Sequence, residues 1–144
     1  MDKSFSACLT VETRVYDDGM LEIRVLGELE VLDGGSRVAL PPSKKTRALL
    51  AYLALTQREH RRDQLCSMFW DVADDPRGAL RWSLSKLRAL GPSLETNRER
   101  VAIATKDVVV DAISLRRLLA SKPAANIDLE DLETAARSFR GEPL

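Results

Sequence analysis

Histidine and cysteine are nearly missing from this chain, which has one His and two Cys among its 144 residues. A metal site or a redox pair draws on several imidazoles or thiolates at short spacing, and no such set exists here, so neither metal nor cofactor is expected. Cys66 falls inside a predicted helix and Cys8 in a leading tail, and both are expected to be reduced thiols. The same shortage bears on catalysis, which needs a nucleophile with its base, a metal set or a carboxylate pair in a pocket. His60 lies in a polar connection and reads as an ordinary surface residue, while Asp74-Asp75 reads as helix capping, so the chain is not expected to be an enzyme. Long apolar runs are missing as well. No segment approaches the roughly 18 consecutive apolar residues of a spanning helix, and Met1 to Cys8 contains an acid and lacks the basic-then-apolar layout of a signal peptide. A cytoplasmic protein with no membrane partner is expected. Internal repeats, low-complexity tracts and a glycine-rich phosphate loop are absent too.

Net charge is also lacking, since 22 Lys and Arg balance 22 Asp and Glu. Taken alone, that balance argues against a nucleic-acid partner, but the charges are segregated. Residues 1–35 hold three bases against eight acids, or −5; residues 36–106 hold fourteen against seven, or +7; residues 107–144 hold five against seven, or −2. Phosphate binding depends on local potential rather than on the total, so the central segment is the candidate for an anionic partner. With 44% hydrophobic and 31% charged residues the chain has the mix of a folded globular protein, and its length is one domain's worth.

Leu21 to Leu26 alternates apolar and charged residues up to Gly27, and Leu29 to Leu32 runs into Asp33-Gly34-Gly35, a strand and hairpin-turn signal. Arg37 to Leu40 supplies a third short strand, ended by Pro41-Pro42, so a small antiparallel sheet opens the fold. Ser43 is a plausible N-cap for a first helix from Lys44 to about Thr56, rich in Ala and Leu. A second helix is expected from Arg61 or Arg62 to Trp70, then an acidic loop from Asp71 to Asp75. Pro76 opens a third helix that reaches Leu90 before Gly91-Pro92 stops it. Leu94 to Thr96 and Val101 to Ala104 read as a hairpin tipped by Asn97-Arg98-Glu99-Arg100, with Val108-Val109-Val110 as a candidate third strand beside it. Two more helices, Ile113 to Ala120 and residues 129–139, flank a Pro/Ala linker from Lys122 to Asn126, and the last has little left to pack against.

The third helix carries the functional signal. At 100° per residue Leu80, Leu84 and Leu87 fall within about 60° of one another and form a core stripe. Across the opposite side run Arg77, Arg88, Arg81 and Ser85, bordered by Trp82 and Lys86, with no acid from Pro76 to Leu90. Solvated helix faces mix signs, whereas like charges at this spacing repel by a few tenths of a kcal/mol per pair, and an anionic partner relieves that cost. A helix about 10 to 12 Å wide fits the major groove of B-DNA, where Arg bonds guanine or phosphate and a short Ser permits close approach.

The runs LGELEVLDGGSRVALPPSKKTRALLAYLAL, RRDQLCSMFW and DDPRGALRWSLSKLRALG together resemble the DNA-binding domain of the Streptomyces antibiotic regulatory protein type, over roughly residues 21–120. The resemblance rests on Leu40-Pro41-Pro42-Ser43-Lys44, Arg62-Asp63-Gln64-Leu65 and Leu84-Ser85-Lys86-Leu87-Arg88. It implies an OmpR/PhoB-like α+β fold, a winged helix-turn-helix with an N-terminal antiparallel sheet, three helices and a C-terminal β-hairpin wing. It further implies transcriptional activation from direct repeats of double-stranded DNA by a head-to-tail pair. Position by position, Arg81, Ser83, Ser85, Lys86 and Arg88 match the groove-facing stretch, although helical angle puts Ser83 nearer the buried stripe. The expected DNA-contacting set is Arg77, Arg81, Ser85, Lys86 and Arg88 on the third helix, Lys44, Lys45 and Arg62 at the starts of the first two, and Arg98 and Arg100 on the hairpin. Asp71, Asp74 and Asp75 match the loop that touches RNA polymerase in OmpR-like relatives. Residues 1–20 are then an N-terminal extension, 21–120 the DNA-binding domain, and 121–144 a linker and the first helix of a truncated helical activator domain. The rival reading is a winged helix serving as a protein-interaction module, with its basic face on an acidic partner.

Overall fold

In the computed structural model, residues 20–91 and 94–140 are described. Residues 1–19 of the N-terminal extension, with Cys8, Pro92 of the Gly91-Pro92 stop and the last four residues of the expected truncated segment lie outside them. Strands β1 (Leu21–Arg24), β2 (Glu30–Asp33) and β3 (Ser36–Val38) are followed by helix α1 (Lys44–Thr56), strand β4 (His60–Arg61), and helices α2 (Arg62–Phe69) and α3 (Pro76–Arg88). Strands β5 (Leu94–Thr96), β6 (Arg100–Ile103) and β7 (Val108–Val110) lead to helix α4 (Asp111–Ala120), a 3-10 turn (Ala124–Asn126) and helix α5 (Leu129–Ser138).

Local chemistry explains most of these bounds. The Ser43 side chain accepts from the Thr46 N–H and starts α1, whose Leu49, Leu50 and Leu53 are fully buried. Each such leucine contributes roughly 1.5–3 kcal/mol by burial. Gln57 ends α1 in the left-handed region at φ 50°. The Asp75 side chain accepts from the Gly78 N–H at the start of α3, and a Cβ on Gly78 would run into that carboxylate, so the cap depends on glycine there. Leu80, Leu84 and Leu87 of α3, Leu65 of α2 and the α1 leucines close over Ile23, Val31 and Val110 in one core.

The chain is α+β, but the expected architecture of an antiparallel N-terminal sheet, three helices and a hairpin wing is not what the structure contains. There are five helices among the described residues, and the first sheet is four-stranded and mixed, in the order β3-β2-β1-β7. Strand β7 runs parallel to β1, pairing Val108 with Leu21 and Val110 with Ile23, instead of joining the β5–β6 hairpin. The cause is burial: Val108 and Val110 are buried in the core together with Leu21 and Ile23, and the edge of β1 offers backbone partners beside that apolar face. The hairpin finds its third strand in β4, which pairs His60 with Val101 and gives the order β4-β6-β5.

The last helix also has a seat. It packs on α4, with Ala135 buried between them, and Lys122 donates to Asp131 at 2.7 Å. Beyond α5 the Arg140 N–H bonds the Leu26 carbonyl, and its guanidinium reaches Glu30 and the Glu28 carbonyl. Leu129, Leu132 and Phe139 stay exposed on the outer side.

Candidate nucleic-acid interface

Helix α3 is pinned from inside. Besides its leucine stripe, Ser83 is 2% exposed, and its Oγ lies 2.8 Å from Thr46 Oγ1 of α1. Ser83 is therefore an interhelical tie and not a groove-facing group, as its helical angle indicates. Arg77, Arg81, Trp82, Ser85, Lys86 and Arg88 are all exposed, and the Lys86 ammonium sits 5.3 Å from the centre of the Trp82 ring.

The β5–β6 hairpin stands beside this face. Asn97 Oδ1 accepts from the Glu99 and Arg100 N–H groups, both at 2.8 Å, which folds the tip into a tight turn. Arg62 ties that tip to the start of α2, its Nε donating to the Asn97 carbonyl at 2.8 Å and its backbone N–H to Glu99 at 2.8 Å. Between hairpin and helix lies a cleft of about 580 Å³ lined by Arg62, Arg77, Leu80, Arg81, Thr96, Asn97 and Arg98. Four guanidiniums and no carboxylate line it. Two unit charges 8 Å apart repel by ~0.5 kcal/mol even in bulk water, so such a cluster favours a bound anion.

The structure divides the expected contact residues. Arg62, Arg77, Arg81 and Arg98 share the cleft. Arg88 turns instead to Thr96 Oγ1 and links α3 to β5, while Arg100 faces Glu59 at 3.7 Å. Ser85 and Lys86 continue the exposed face of α3, and Lys44 and Lys45 are exposed at the start of α1, outside the cleft lining. Arg81 and Arg98 have no hydrogen-bond or ion-pair partner among the described residues. Asp71, Asp74 and Asp75 are exposed in the α2–α3 loop, where Asp75 serves as the α3 cap. Sequence reasoning missed Thr96 and Asn97, and also Asp63, whose carboxylate holds Arg77 at 2.5 Å. Asn97 was legible as a turn residue between two strands, whereas the Asp63–Arg77 pair joins two helices and has no local signature.

His60 is not a surface residue. It is 1% exposed, its ring tilted against that of Tyr52 with centroids 4.7 Å apart, with Nε2 at 2.6 Å from Thr56 Oγ1 and Nδ1 buried without a hydrogen-bond partner among the described residues. Its place in β4 against Val101 explains the burial, since that pairing supplies the edge that the hairpin needs. Burial, with Arg58 nearby, holds its pKa below the ordinary 6.5. The unfolded chain therefore binds the proton first as pH falls. Stability is full above about pH 6.5, declines as pH drops through that value and levels off once the folded imidazole is protonated. Urea unfolding of wild type and His60→Phe between pH 7.5 and 5 checks this: wild type loses stability that the non-titrating variant keeps. Burial likewise pushes the Cys66 thiol up, leaving it unreactive.

Among the described residues no group of three or more His, Cys, Asp and Glu is placed to hold a metal ion, and no helix is long and apolar enough to cross a membrane. The chain matches no protein-family model and no curated protein.

Proposed function

We propose that this chain is a sequence-specific double-stranded DNA-binding domain of a cytoplasmic transcriptional regulator, with the exposed face of α3 in the major groove and the β5–β6 hairpin on the adjacent backbone. The observation that carries this reading is the cleft between them, where four arginines converge without a lining carboxylate and two of them have no partner among the described residues. The width of α3 suits the groove, and Arg81, Ser85 and Lys86 are the exposed groups that reach bases or phosphates first. The similarity of the α1, α2 and α3 segments to the Streptomyces antibiotic regulatory protein type supports transcriptional activation from direct repeats, with the Asp71–Asp75 loop toward RNA polymerase. Anisotropy titration with random duplex at about 50 and 200 mM salt tests it. Neutralising about 5 to 8 phosphates per protomer weakens binding by roughly three orders of magnitude across that range. No binding at the lower salt, or binding indifferent to salt, overturns the proposal and favours a protein partner for the basic face.

A further inference from the structure

Three of the cleft guanidiniums, those of Arg62, Arg81 and Arg98, have no carboxylate partner among the described residues, whereas Arg77 has Asp63. Asp63 stands in the first turn of α2, 2.5 Å from Arg77 Nη2 and 3.7 Å from Arg61 Nη2. The pair is open to water, with the Arg77 side chain 65% and the Asp63 side chain 58% exposed. An ion pair this exposed is weak and readily exchanged, and a phosphate offers a guanidinium the same forked acceptor geometry as a carboxylate. We propose that the cleft seats one phosphate of a DNA backbone, and that the Asp63 carboxylate holds that phosphate's place on Arg77 in the unliganded protein.

The inference rests on the DNA-binding reading and adds an exchange to it. On binding, Arg77 releases Asp63 and takes the phosphate, while Asp63 is left to a cation from solution. Arg77 thus contributes contact without the net release of a counterion, and the free protein presents three uncompensated charges in the cleft instead of four. Any anionic surface gains less from Arg77 than from its neighbours unless a phosphate is held at the seat. Asp63 thus discounts loose electrostatic binding relative to a backbone whose phosphate is seated, without discriminating between base sequences.

The test is a cycle of Asp63→Asn, Arg77→Gln and the double variant, titrated with random 20-bp duplex from about 50 to 200 mM salt. Asp63→Asn is expected to bind about two- to fivefold tighter at the lower salt, with a log–log slope steeper by about one. In the Arg77→Gln background the same change leaves the slope unaltered, because the exchange has already been removed. Asp63→Glu, which keeps the charge, retains the wild-type slope and controls for the helix start. Equal tightening and steepening in both backgrounds would mean that Asp63 acts only through net charge, and no change on Asp63→Asn would mean that Arg77 does not exchange; either overturns the seat while leaving DNA binding intact. Wild type without salt-dependent binding overturns both.

Discussion

Replacing Arg81 and Arg98 together by alanine is expected to lower affinity for random duplex by on the order of a hundredfold at about 50 mM salt and to make the salt slope shallower by about two. Both side chains line the cleft, Arg81 from α3 and Arg98 from the turn between β5 and β6, and neither has a hydrogen-bond or ion-pair partner among the described residues to give up when DNA arrives. The single variants separate their roles. Arg81 lies on the groove-facing side of α3, so Arg81→Ala costs about 1–3 kcal/mol on a preferred site and relaxes discrimination at particular bases. Arg98 sits at the hairpin tip, so Arg98→Ala weakens all duplexes alike. Arg88 behaves differently from both. Its bond to Thr96 gives it a structural task between α3 and β5, and Arg88→Ala loosens the hairpin more than it removes a base contact. Titration of the single and double variants on random and selected duplexes distinguishes these outcomes; equal, sequence-blind losses at Arg81 and Arg98 would remove α3 from the role of reader.

Local pattern made the helices and the hairpins β1–β2, β2–β3 and β5–β6 legible and left the long-range pairings of β7 and β4 hidden. The α1 and α3 leucine stripes, the Ser43 and Asp75 caps and the sign of the α3 face all follow from spacing within one turn or two, and the structure places those residues accordingly. The partner of Val108-Val109-Val110 does not, because a three-residue apolar run states that it is buried without stating beside what, and its mate β1 lies more than 80 residues earlier. The same gap explains His60, whose polar neighbours suggest surface until β6 closes over it. It explains the site as well. The exposed arginines of α3 line up from sequence, but the engagement of Arg77 by Asp63 and of Arg88 by Thr96, and the want of a partner for Arg81 among the described residues, do not.

Asp111→Ala is expected to be the most destabilising change outside the apolar core, because this carboxylate satisfies two backbone N–H groups at the junction of β1 with α4. Asp111 opens α4 directly after β7, and its two oxygens accept from the Val25 N–H at 2.8 Å and the Leu26 N–H at 3.2 Å, just past the end of β1. Those amides cannot pair with β2, since the chain there turns away through Gly27 at φ 120°. Removing the carboxylate leaves two part-buried donors unpaired, which costs about 2–4 kcal/mol given that bonds to a charged acceptor exceed neutral ones. It also withdraws the anion that Arg140 approaches at 3.8 Å while the Arg140 N–H holds Leu26 from the other side. For a chain of this length the loss corresponds to a fall in Tm of roughly 5–15 °C. Asp111→Asn keeps one acceptor oxygen, serves one amide and falls between the two. Thermal and urea unfolding give the ranking, and hydrogen exchange at Val25 and Leu26 gives the cause: both amides exchange faster in Asp111→Ala, and a variant as stable as wild type with both still protected would show that the β1–α4 junction is held by packing alone.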